Sequence, residues 1–480
     1  MSGLIGRIEE QKILENKLFS TRPELIAVYG RRRIGKTYLI RTFLKDHIVF
    51  EMTGIHGATL SEQLGNFSLA LGEAIKSKTP IPTPINWQQA FHELNTYLLD
   101  HLDPQQAVVF FFDEFPWIHT RRSNFLRAFD HWWNSSGTKH ANLKVVICGS
   151  AASWMIDKII NDRGGLHNRV TQKIRLLPFT LSETAAYLQS KNILLDQYQI
   201  LQLYMAMGGI PYYLQHIAKG ESSAQVIDRL FFTKNGTLQG EFKNLYQSLF
   251  NNADQHETII RALAKKSKGL TRDEIIKASK LTSGGTTTKM LKELEESGFI
   301  VQYIPFGKTV NESIYKLADE YSLFYLKFVE NTKSTGKGTW LRQFNTPSYK
   351  SWSGFSFESV CQKHVAQIKK ALGIEGVLTE ESAWRCQPSK GGKEQGTQID
   401  LLIDRQDRCI NICEMKYASE EFIIDKKYAT ELDRKVNTFQ QATKTKKTLF
   451  LTMVTTYGVK KNEYHTGRIV SDIVMKDLFR

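Results

Sequence analysis

The stretch Leu25-Ile-Ala-Val-Tyr-Gly-Arg-Arg-Arg-Ile-Gly-Lys-Thr-Tyr-Leu-Ile, residues 25–40, decides the fold of the first part of the chain. Its apolar start is too short for a helix and rich in strand-forming residues, and two glycines separate it from a helical run. Residues 30–37, the phosphate loop, match G-x-x-x-x-G-K-[ST] in a strand–loop–helix context. In that context backbone N–H groups and a helix N-terminus face phosphate groups, so the sequence predicts a nucleotide site.

The predicted nucleotide-binding residues lie in and directly after the phosphate loop. They are Gly30, Arg33, Ile34, Gly35, Lys36, Thr37 and Tyr38. Lys36 is expected to neutralise the β- and γ-phosphates, and the Thr37 hydroxyl is expected to ligate Mg²⁺.

An acidic pair follows a second apolar run. Val108–Phe112 is a predicted strand that ends in Asp113 and Glu114. An acid at the carboxyl end of a strand can hold Mg²⁺ or its water shell, and Glu114 is placed to polarise an attacking water. A third predicted strand ends at Ser150, whose hydroxyl lies either near the γ-phosphate or in a plain strand–helix turn. The pair predicts hydrolysis of the nucleotide, not binding alone.

The pattern of apolar runs divides the chain into segments. Buried strands that alternate with helices predict a parallel α/β sheet at the start of the chain, and helices alone follow it, broken at Gly208-Gly-Ile-Pro. The predicted segments are an α/β core (1–178), a helical lid (179–255), a winged helix (256–330), a linker (331–354) and a second α/β domain (355–480).

Composition and charge restrict the class of protein. A chain of 480 residues with 41% hydrophobic and 24% charged residues is an ordinary multidomain globular protein, which excludes disordered and fibrous classes. The net charge of +15 favours a polyanion, either nucleic acid or an acidic membrane surface, although the excess is thinly spread. The sequence has no signal peptide and no apolar run that could cross a bilayer. We therefore expect a cytoplasmic protein with reduced cysteines and no membrane association.

A second set of charged residues lies in a predicted hairpin of the last segment. Gln398–Asp404 and Cys409–Lys416 are predicted strands with a polar turn between them. Side chains at i and i+2 share a strand face, so Glu414 and Lys416 point the same way. If Asp400 lies opposite them, Asp400 and Glu414 hold Mg²⁺ while Lys416 orients or deprotonates a water. A solvated charge pair is the alternative for the Glu-x-Lys motif.

Five motifs together resemble the archaeal ATPase family, which is related to AAA+ and STAND NTPases. They are Ile5-Gly-Arg-Ile-Glu-Glu, Val28-Tyr-Gly-Arg-Arg-Arg-Ile-Gly-Lys-Thr, Phe112-Asp-Glu-Phe-Pro-Trp, Ile147-Cys-Gly-Ser-Ala and Gly208-Gly-Ile-Pro-Tyr-Tyr-Leu. The resemblance implies that the nucleotide is ATP, that residues 5–7 lie near the adenine and that Pro211 approaches the nucleotide. It makes Arg163 or Arg169 a candidate arginine finger or sensor, with surface arginines as the alternative.

The last segment resembles the PD-(D/E)XK nucleases, which have a restriction-endonuclease-like fold. This resemblance adds Glu358 on the leading helix to the catalytic set. Glu358, Asp400, Glu414 and Lys416, which we call the charged cluster, would then form a Mg²⁺-dependent phosphodiesterase. Gln440 and Gln441, on the helix that follows, either assist this site or are exposed polar residues.

The sequence leads to two hypotheses about function. The first is an ATP-regulated, Mg²⁺-dependent nuclease that processes DNA. The second is a STAND-like ATPase switch whose C-terminal domain binds nucleic acid or a protein without cleaving it. The predicted winged helix is not strongly basic, so it either binds DNA or packs within the chain. The oligomeric state does not follow from the residues.

Overall fold

Two compact units make up the structure, a computed structural model. It describes residues 3–150, 152–160, 165–250, 252–332, 336–344, 346–386 and 396–480. Over these residues, the first unit comprises Met1–Pro178, Lys243–Asp254 and Glu296–Gly298, and the second comprises Phe179–Phe242, Gln255–Glu295 and Phe299–Arg480.

The first unit contains a five-stranded parallel sheet in the order β2-β3-β4-β1-β5. The elements up to residue 178 are α1 (Ile8–Leu18), β1 (Glu24–Tyr29), α2 (Lys36–Phe43), β2 (Ile48–Thr53), α3 (Leu60–Ala74), α4 (Trp87–His101), β3 (Val108–Asp113), α5 (Phe115–Ile118), α6 (Phe125–Ser135), β4 (Leu143–Gly149), α7 (Ala152–Met155) and β5 (Gln172–Arg175).

The three central strands were predicted and the two edge strands were not. Every residue of β1, β3 and β4 is buried, which explains their uninterrupted apolar runs and confirms the predicted parallel sheet. The edge strand β5 reads Gln-Lys-Ile-Arg and buries one residue of four, so it lacks that signal.

Residues 179–255 contain helices and no strand over the described positions. The helices are α8 (Leu181–Ser190), α9 (Gln197–Met207), α10 (Pro211–Leu214), α11 (Ser223–Phe232) and α12 (Glu241–Gln247), followed by the start of α13 (Ala253–Ala264). The predicted break is present, because α9 ends before Gly208 and α10 begins at Pro211.

A three-stranded antiparallel sheet and three helices follow. They are α13, β6 (Leu270–Thr271), α14 (Arg272–Ser279), α15 (Gly285–Glu296), β7 (Ile300–Tyr303) and β8 (Ile314–Leu317), with the strands in the order β6-β8-β7. The three predicted helices and the hairpin are therefore present, and the strand β6 is additional. The aromatic stripe after them, in α16 (Glu320–Phe324) and the π-helical turn Tyr325–Val329, buries Tyr321, Phe324 and Phe328, so these rings belong to the core.

The predicted linker 331–354 differs from the structure in its second half. Trp340 is fully buried, and its backbone N–H donates to Asp228 Oδ1 at 2.7 Å. The Gly338 N–H donates to the other carboxylate oxygen at 2.6 Å. Helix α17 begins at Pro347, inside the predicted linker. The polar composition of this stretch predicted a linker, but the buried Trp340 indole ring fixes it to the core.

The C-terminal sheet is mixed and has the order β13-β12-β11-β10-β9. Its elements are α17 (Pro347–Lys363), α18 (Val365–Ala371), β9 (Thr379–Cys386), β10 (Thr397–Arg405), β11 (Cys409–Lys416), α19 (Lys426–Thr443), β12 (Thr448–Thr455) and β13 (Ser471–Val474). β9, β10 and β11 are antiparallel, which confirms the predicted hairpin, whereas β11, β12 and β13 are parallel. Across the described ranges, no helix is both long enough and apolar enough to span a membrane.

Candidate functional site

Both glycines of the phosphate loop are required by its backbone. Gly30 has φ +147°, and a Cβ there would lie 2.3 Å from the carbonyl oxygen of Leu176. Gly35 has φ +88° at the N-cap of α2, a left-handed conformation that disfavours a side chain. The sequence pattern therefore reflects one close backbone approach and one left-handed residue at the helix start.

Lys36 is enclosed by the carbonyl groups of its own loop. It is buried, and its Nζ donates to the carbonyl oxygens of Gly30 at 3.1 Å and Arg31 at 2.9 Å. Burial lowers the pKa of Lys36, and nearby acidic groups, among them Glu114 and Asp113, oppose that effect. The ammonium group is thus held at the loop, where phosphate oxygens would compete with these carbonyls for it.

Thr37 and Asp113 meet at the carboxyl edge of the sheet. The Thr37 Oγ1 donates to both carboxylate oxygens of Asp113, each at 3.0 Å. They come together because α2 starts next to β1 and Asp113 ends β3, in a parallel sheet whose strands all end at one edge. A hydroxyl and a carboxylate are oxygen ligands of the kind Mg²⁺ prefers, so these residues fit that ion.

Ser150 holds Glu114, a role that the sequence did not predict. Its Oγ lies 3.0 Å and 2.9 Å from the two Glu114 carboxylate oxygens, and its backbone N–H donates at 3.3 Å. Glu114 has φ +44°, in the left-handed region, directly after Asp113. Residues that follow two neighbouring strands, β3 and β4, therefore hold an oriented carboxylate at the sheet edge where Thr37 and Asp113 lie.

Arg7 supports the phosphate loop from outside its motif. The side chain is buried, and its Nη2 donates to the carbonyl oxygen of Ile34 at 3.2 Å. Tyr38 is exposed, and its hydroxyl donates to the carbonyl oxygen of Gly3 at 3.3 Å. Arg33 has φ +72° within the loop. The resemblance drew attention to residues 5–7, but the contact with Ile34 carried no sequence signal.

Three further predicted residues stay predictions. Arg163 lies outside the described residues. Arg169 is exposed and follows the 3₁₀ turn Gly165–Asn168 in the first unit. Pro211 is the first residue of α10 in the second unit.

The sheet order, the phosphate loop after β1 and the acidic residues at the end of β3 define the class, a P-loop NTPase. Residues 4–217 match the family described as an ATPase domain predominantly from Archaea. This part of the chain is therefore similar to that family, which supports the ATPase domain expected from the five motifs.

The chain is also similar to individual known proteins. The chain is 23% identical over 435 residues to an uncharacterized protein of Methanocaldococcus jannaschii, covering 90% of this chain and 91% of that protein. It is 48% identical over 42 residues to an uncharacterized ATP-binding protein of the same organism, covering 9% of this chain and 71% of that protein. Among solved structures, a Walker-type ATPase of Pyrococcus abyssi is 20% identical with a TM-score of 0.46, covering 67% of this chain and 96% of that one.

In the second unit, the Glu414 carboxylate of the charged cluster is surrounded by donors. Lys435 Nζ lies 2.8 Å and 3.0 Å from its two oxygens, Lys416 Nζ lies 3.0 Å from Oε1, and the Tyr428 hydroxyl donates at 2.9 Å. Burial by itself would raise the pKa of Glu414, but the ammonium groups of Lys416 and Lys435 outweigh it and lower the pKa. Glu414 is thus a buried carboxylate whose ionised form these two lysines stabilise.

Asp400 lies next to Glu414 across the hairpin. Leu401 pairs with Cys413, so Asp400 and Glu414 are the next residues along the two strands, as predicted. Asp400 Oδ1 accepts from Gln398 Nε2 at 2.6 Å, and Lys316 Nζ, from β8, lies 3.5 Å from the same oxygen.

Glu358 completes the charged cluster from helix α17. Burial and the nearby Asp400 carboxylate raise the pKa of Glu358 to about 8, while Lys316 and Lys416 oppose the rise and Glu414 adds to it. Glu358 therefore interacts electrostatically with each of the other three residues of the charged cluster, which the order of motifs alone could not establish.

The charged cluster is not arranged as a metal cage. Among the described residues, no group of three or more His, Cys, Asp or Glu side chains could hold a metal ion. The predicted pair of metal ligands, Asp400 and Glu414, instead contacts lysines: Lys316 lies beside Asp400, and Lys416 and Lys435 lie beside the buried Glu414. Two of these, Lys316 and Lys435, were not predicted.

Helix α19 carried a signal for one of these lysines. Lys435 follows Tyr428 by seven residues, two helical turns, so both lie on the face that meets Glu414. The glutamines considered on this helix, Gln440 and Gln441, are exposed, in agreement with the alternative of surface polar residues.

The raised pKa of Glu358 predicts a pH dependence of stability. The folded chain keeps a proton on Glu358 that the unfolded chain loses above about pH 4.5, so stability falls as the pH rises from about 4.5 to about 8. Glu358→Gln removes this contribution to the pH dependence of stability. Between pH 5.5 and pH 8.5 the melting temperature of the variant should fall by at least about 2 °C less than that of the unmodified chain.

Thermal melts at both pH values, followed by circular dichroism, measure this difference. Glu375→Gln, at an exposed position before β9, is the matched control and should follow the unmodified chain. Parallel pH profiles for all three proteins would contradict a proton held on Glu358.

Proposed function

We propose that this chain hydrolyses ATP at the carboxyl edge of the first sheet, with Glu114 as the base that activates the attacking water. The observation that carries this proposal is the Glu114 carboxylate, which Ser150 orients at the same sheet edge as the Thr37–Asp113 pair. Hydrolysis of a phosphate group needs the reactants to be positioned and the attacking water to be activated. An oriented carboxylate beside a phosphate loop can act as the general base that activates this water.

The other residues bind and position the nucleotide. Lys36 and the N-terminus of α2 neutralise the phosphates, and Arg7 keeps the loop backbone in place through the carbonyl of Ile34. Thr37 and Asp113 would hold Mg²⁺, which when bound neutralises charge that develops on the phosphates. Phosphate release from ATP in Mg²⁺, lost on adding excess EDTA, tests the proposal; no release under either condition would contradict it.

Ser150→Ala should lower kcat for ATP about 10-fold and leave KM within about 2-fold. The variant keeps Glu114 but removes the hydroxyl that orients it, and a hydrogen bond to a charged group is worth about a factor of 10 or more. Steady-state phosphate release measures both constants. Ser150→Thr, which keeps a hydroxyl, should recover most of the activity.

Ser77→Ala is the matched control for this experiment. Ser77 is exposed in the same unit and bonds only within its own turn, to the carbonyl oxygen of Thr79. If Ser150→Ala and Ser77→Ala turn over ATP equally fast, Ser150 does not position the base.

A second candidate function is Mg²⁺-dependent cleavage of DNA by the charged cluster, gated by ATP. It is supported by the electrostatic interaction of Glu358 with Asp400, Glu414 and Lys416, by the ion pair of Glu414 with Lys416, and by the net charge of +15. Asp400 and Glu414 would hold Mg²⁺ once the ion replaces lysine contacts, and Lys416 would orient a water. We also infer that residues 179–255 act as a lid, 256–330 as a winged helix and 355–480 as a nuclease-like domain.

A supercoiled plasmid incubated with the protein, Mg²⁺ and ATP tests this second function. Conversion to nicked or linear DNA that stops in EDTA is the expected result. Plasmid that stays supercoiled under every metal and nucleotide condition would contradict cleavage. That result would favour the other hypothesis, an ATPase switch whose C-terminal domain binds without cutting.

A further inference from the structure

A cavity of about 400 Å³ in the second unit opens beside the charged cluster. Its walls come from α13, β7, β8, the π-helical turn Tyr325–Val329 and α17. Glu358 of the cluster is one of the lining residues. The volume lies within the range of small-ligand sites, about 300 to 1,000 Å³.

The lining of this cavity is basic. Lys265, Lys266 and Lys327 line it and are exposed, and within the described ranges none of the three has an ion-pair partner. The acid Glu330 at the same wall is already neutralised, because it forms a two-point ion pair with Arg261. The cavity therefore offers unpaired positive charge to an anionic ligand.

Lys316 connects this cavity to the charged cluster. It lines the cavity, its side chain is 10% exposed, and its Nζ lies 3.5 Å from Asp400 Oδ1. A phosphate in the cavity would compete with Asp400 for this ammonium group. Occupation of the cavity thus changes the charge around the cluster.

One aromatic ring in the lining suits a base. Phe355, on α17, is 40% exposed although it lines a cavity, and it lies one helical turn from Glu358. Exposed rings beside basic side chains are the arrangement that binds single nucleotides of a strand, since every base has a face that can stack.

We propose that this cavity binds one nucleotide unit, with its phosphate on Lys265, Lys327 and Lys316 and its base on Phe355. The proposal rests on the second candidate function above, because it makes the cavity the place where a strand enters the charged cluster. The same chemistry suits a free mononucleotide, so the experiment has one arm for each source.

Fluorescence anisotropy with a labelled ten-residue thymidine oligonucleotide tests the proposal on the full chain in EDTA, where no cleavage occurs. Lys265→Ala combined with Lys327→Ala should raise Kd at least about 10-fold. The negative slope of log K against log salt should become shallower by about 1.4, because two phosphate contacts are lost. Phe355→Ala should raise Kd at least about 5-fold. Displacement of the probe by AMP assigns the cavity to a free nucleotide, and no displacement assigns it to a strand.

The control removes two lysines that do not line the cavity. Lys219→Ala combined with Lys277→Ala changes two exposed positions of the same unit and should leave Kd within about 2-fold. No probe binding, or equal loss in both double variants with unchanged melting temperatures, would overturn the proposal. If the plasmid stays uncut and only the cavity variants bind the probe more weakly, cleavage is contradicted and binding in the cavity is not. If the plasmid is cut and the cavity variants bind the probe as tightly as the unmodified chain, the proposed binding in the cavity is contradicted and cleavage is not.

Discussion

Lys36→Ala is expected to abolish ATP turnover, with kcat/KM lowered at least about 10³-fold. The Lys36 ammonium group is a buried cation of the phosphate loop and lies 3.1 Å and 2.9 Å from the carbonyl oxygens of Gly30 and Arg31. A cation at this place acts on the bound phosphates and on the charge that grows in the transition state. Its loss therefore affects binding and chemistry together.

Two measurements separate this loss from unfolding. Phosphate release gives the turnover, and a thermal melt of Lys36→Ala shows whether the variant is folded at the assay temperature. Lys12→Ala, on the exposed face of α1, is the matched control and should hydrolyse ATP like the unmodified chain. Turnover that survives in Lys36→Ala would place the activity at another lysine.

Asp400→Asn is expected to lower plasmid nicking at least about 10²-fold while leaving ATP turnover intact. The substitution keeps the size of the side chain but removes the charge that lies 3.5 Å from Lys316 and beside Glu414. A neutral amide is a poor partner for a divalent cation, so the proposed Mg²⁺ site loses one of its two acids. ATP hydrolysis depends on residues of the first unit and should continue.

The matched control for this variant is Asp433→Asn. Asp433 is a half-exposed acid on α19 that pairs with Arg468, so its loss removes one charge from the same domain without touching the cluster. Agarose gels of plasmid incubated with each protein give the rates. Equal nicking by the unmodified chain and Asp400→Asn would mean that the charged cluster is not the source of the activity.

The central strands could be predicted because burial on both faces leaves a local mark. β1, β3 and β4 are buried at every residue, and each therefore reads as a continuous apolar run. The edge strand β5 and the segment around Trp340 lack such a run. For that reason β5 was not predicted, and the segment around Trp340 was predicted to be a linker. A sequence pattern therefore predicts a strand when all of its residues are buried, and it is weak where burial changes from residue to residue.

The sequence by itself determined the phosphate loop and its lysine, because a short motif must satisfy local backbone geometry at Gly30 and Gly35. It also determined the two acidic residues at the end of β3, because they directly follow a buried apolar run. Only the tertiary structure decided which side chains orient them. Ser150 reaches Glu114 across 36 positions, and Lys316 reaches Asp400 across 84. Contacts between residues so distant in the chain depend on how strands and helices pack, and packing leaves no periodic signal in the sequence.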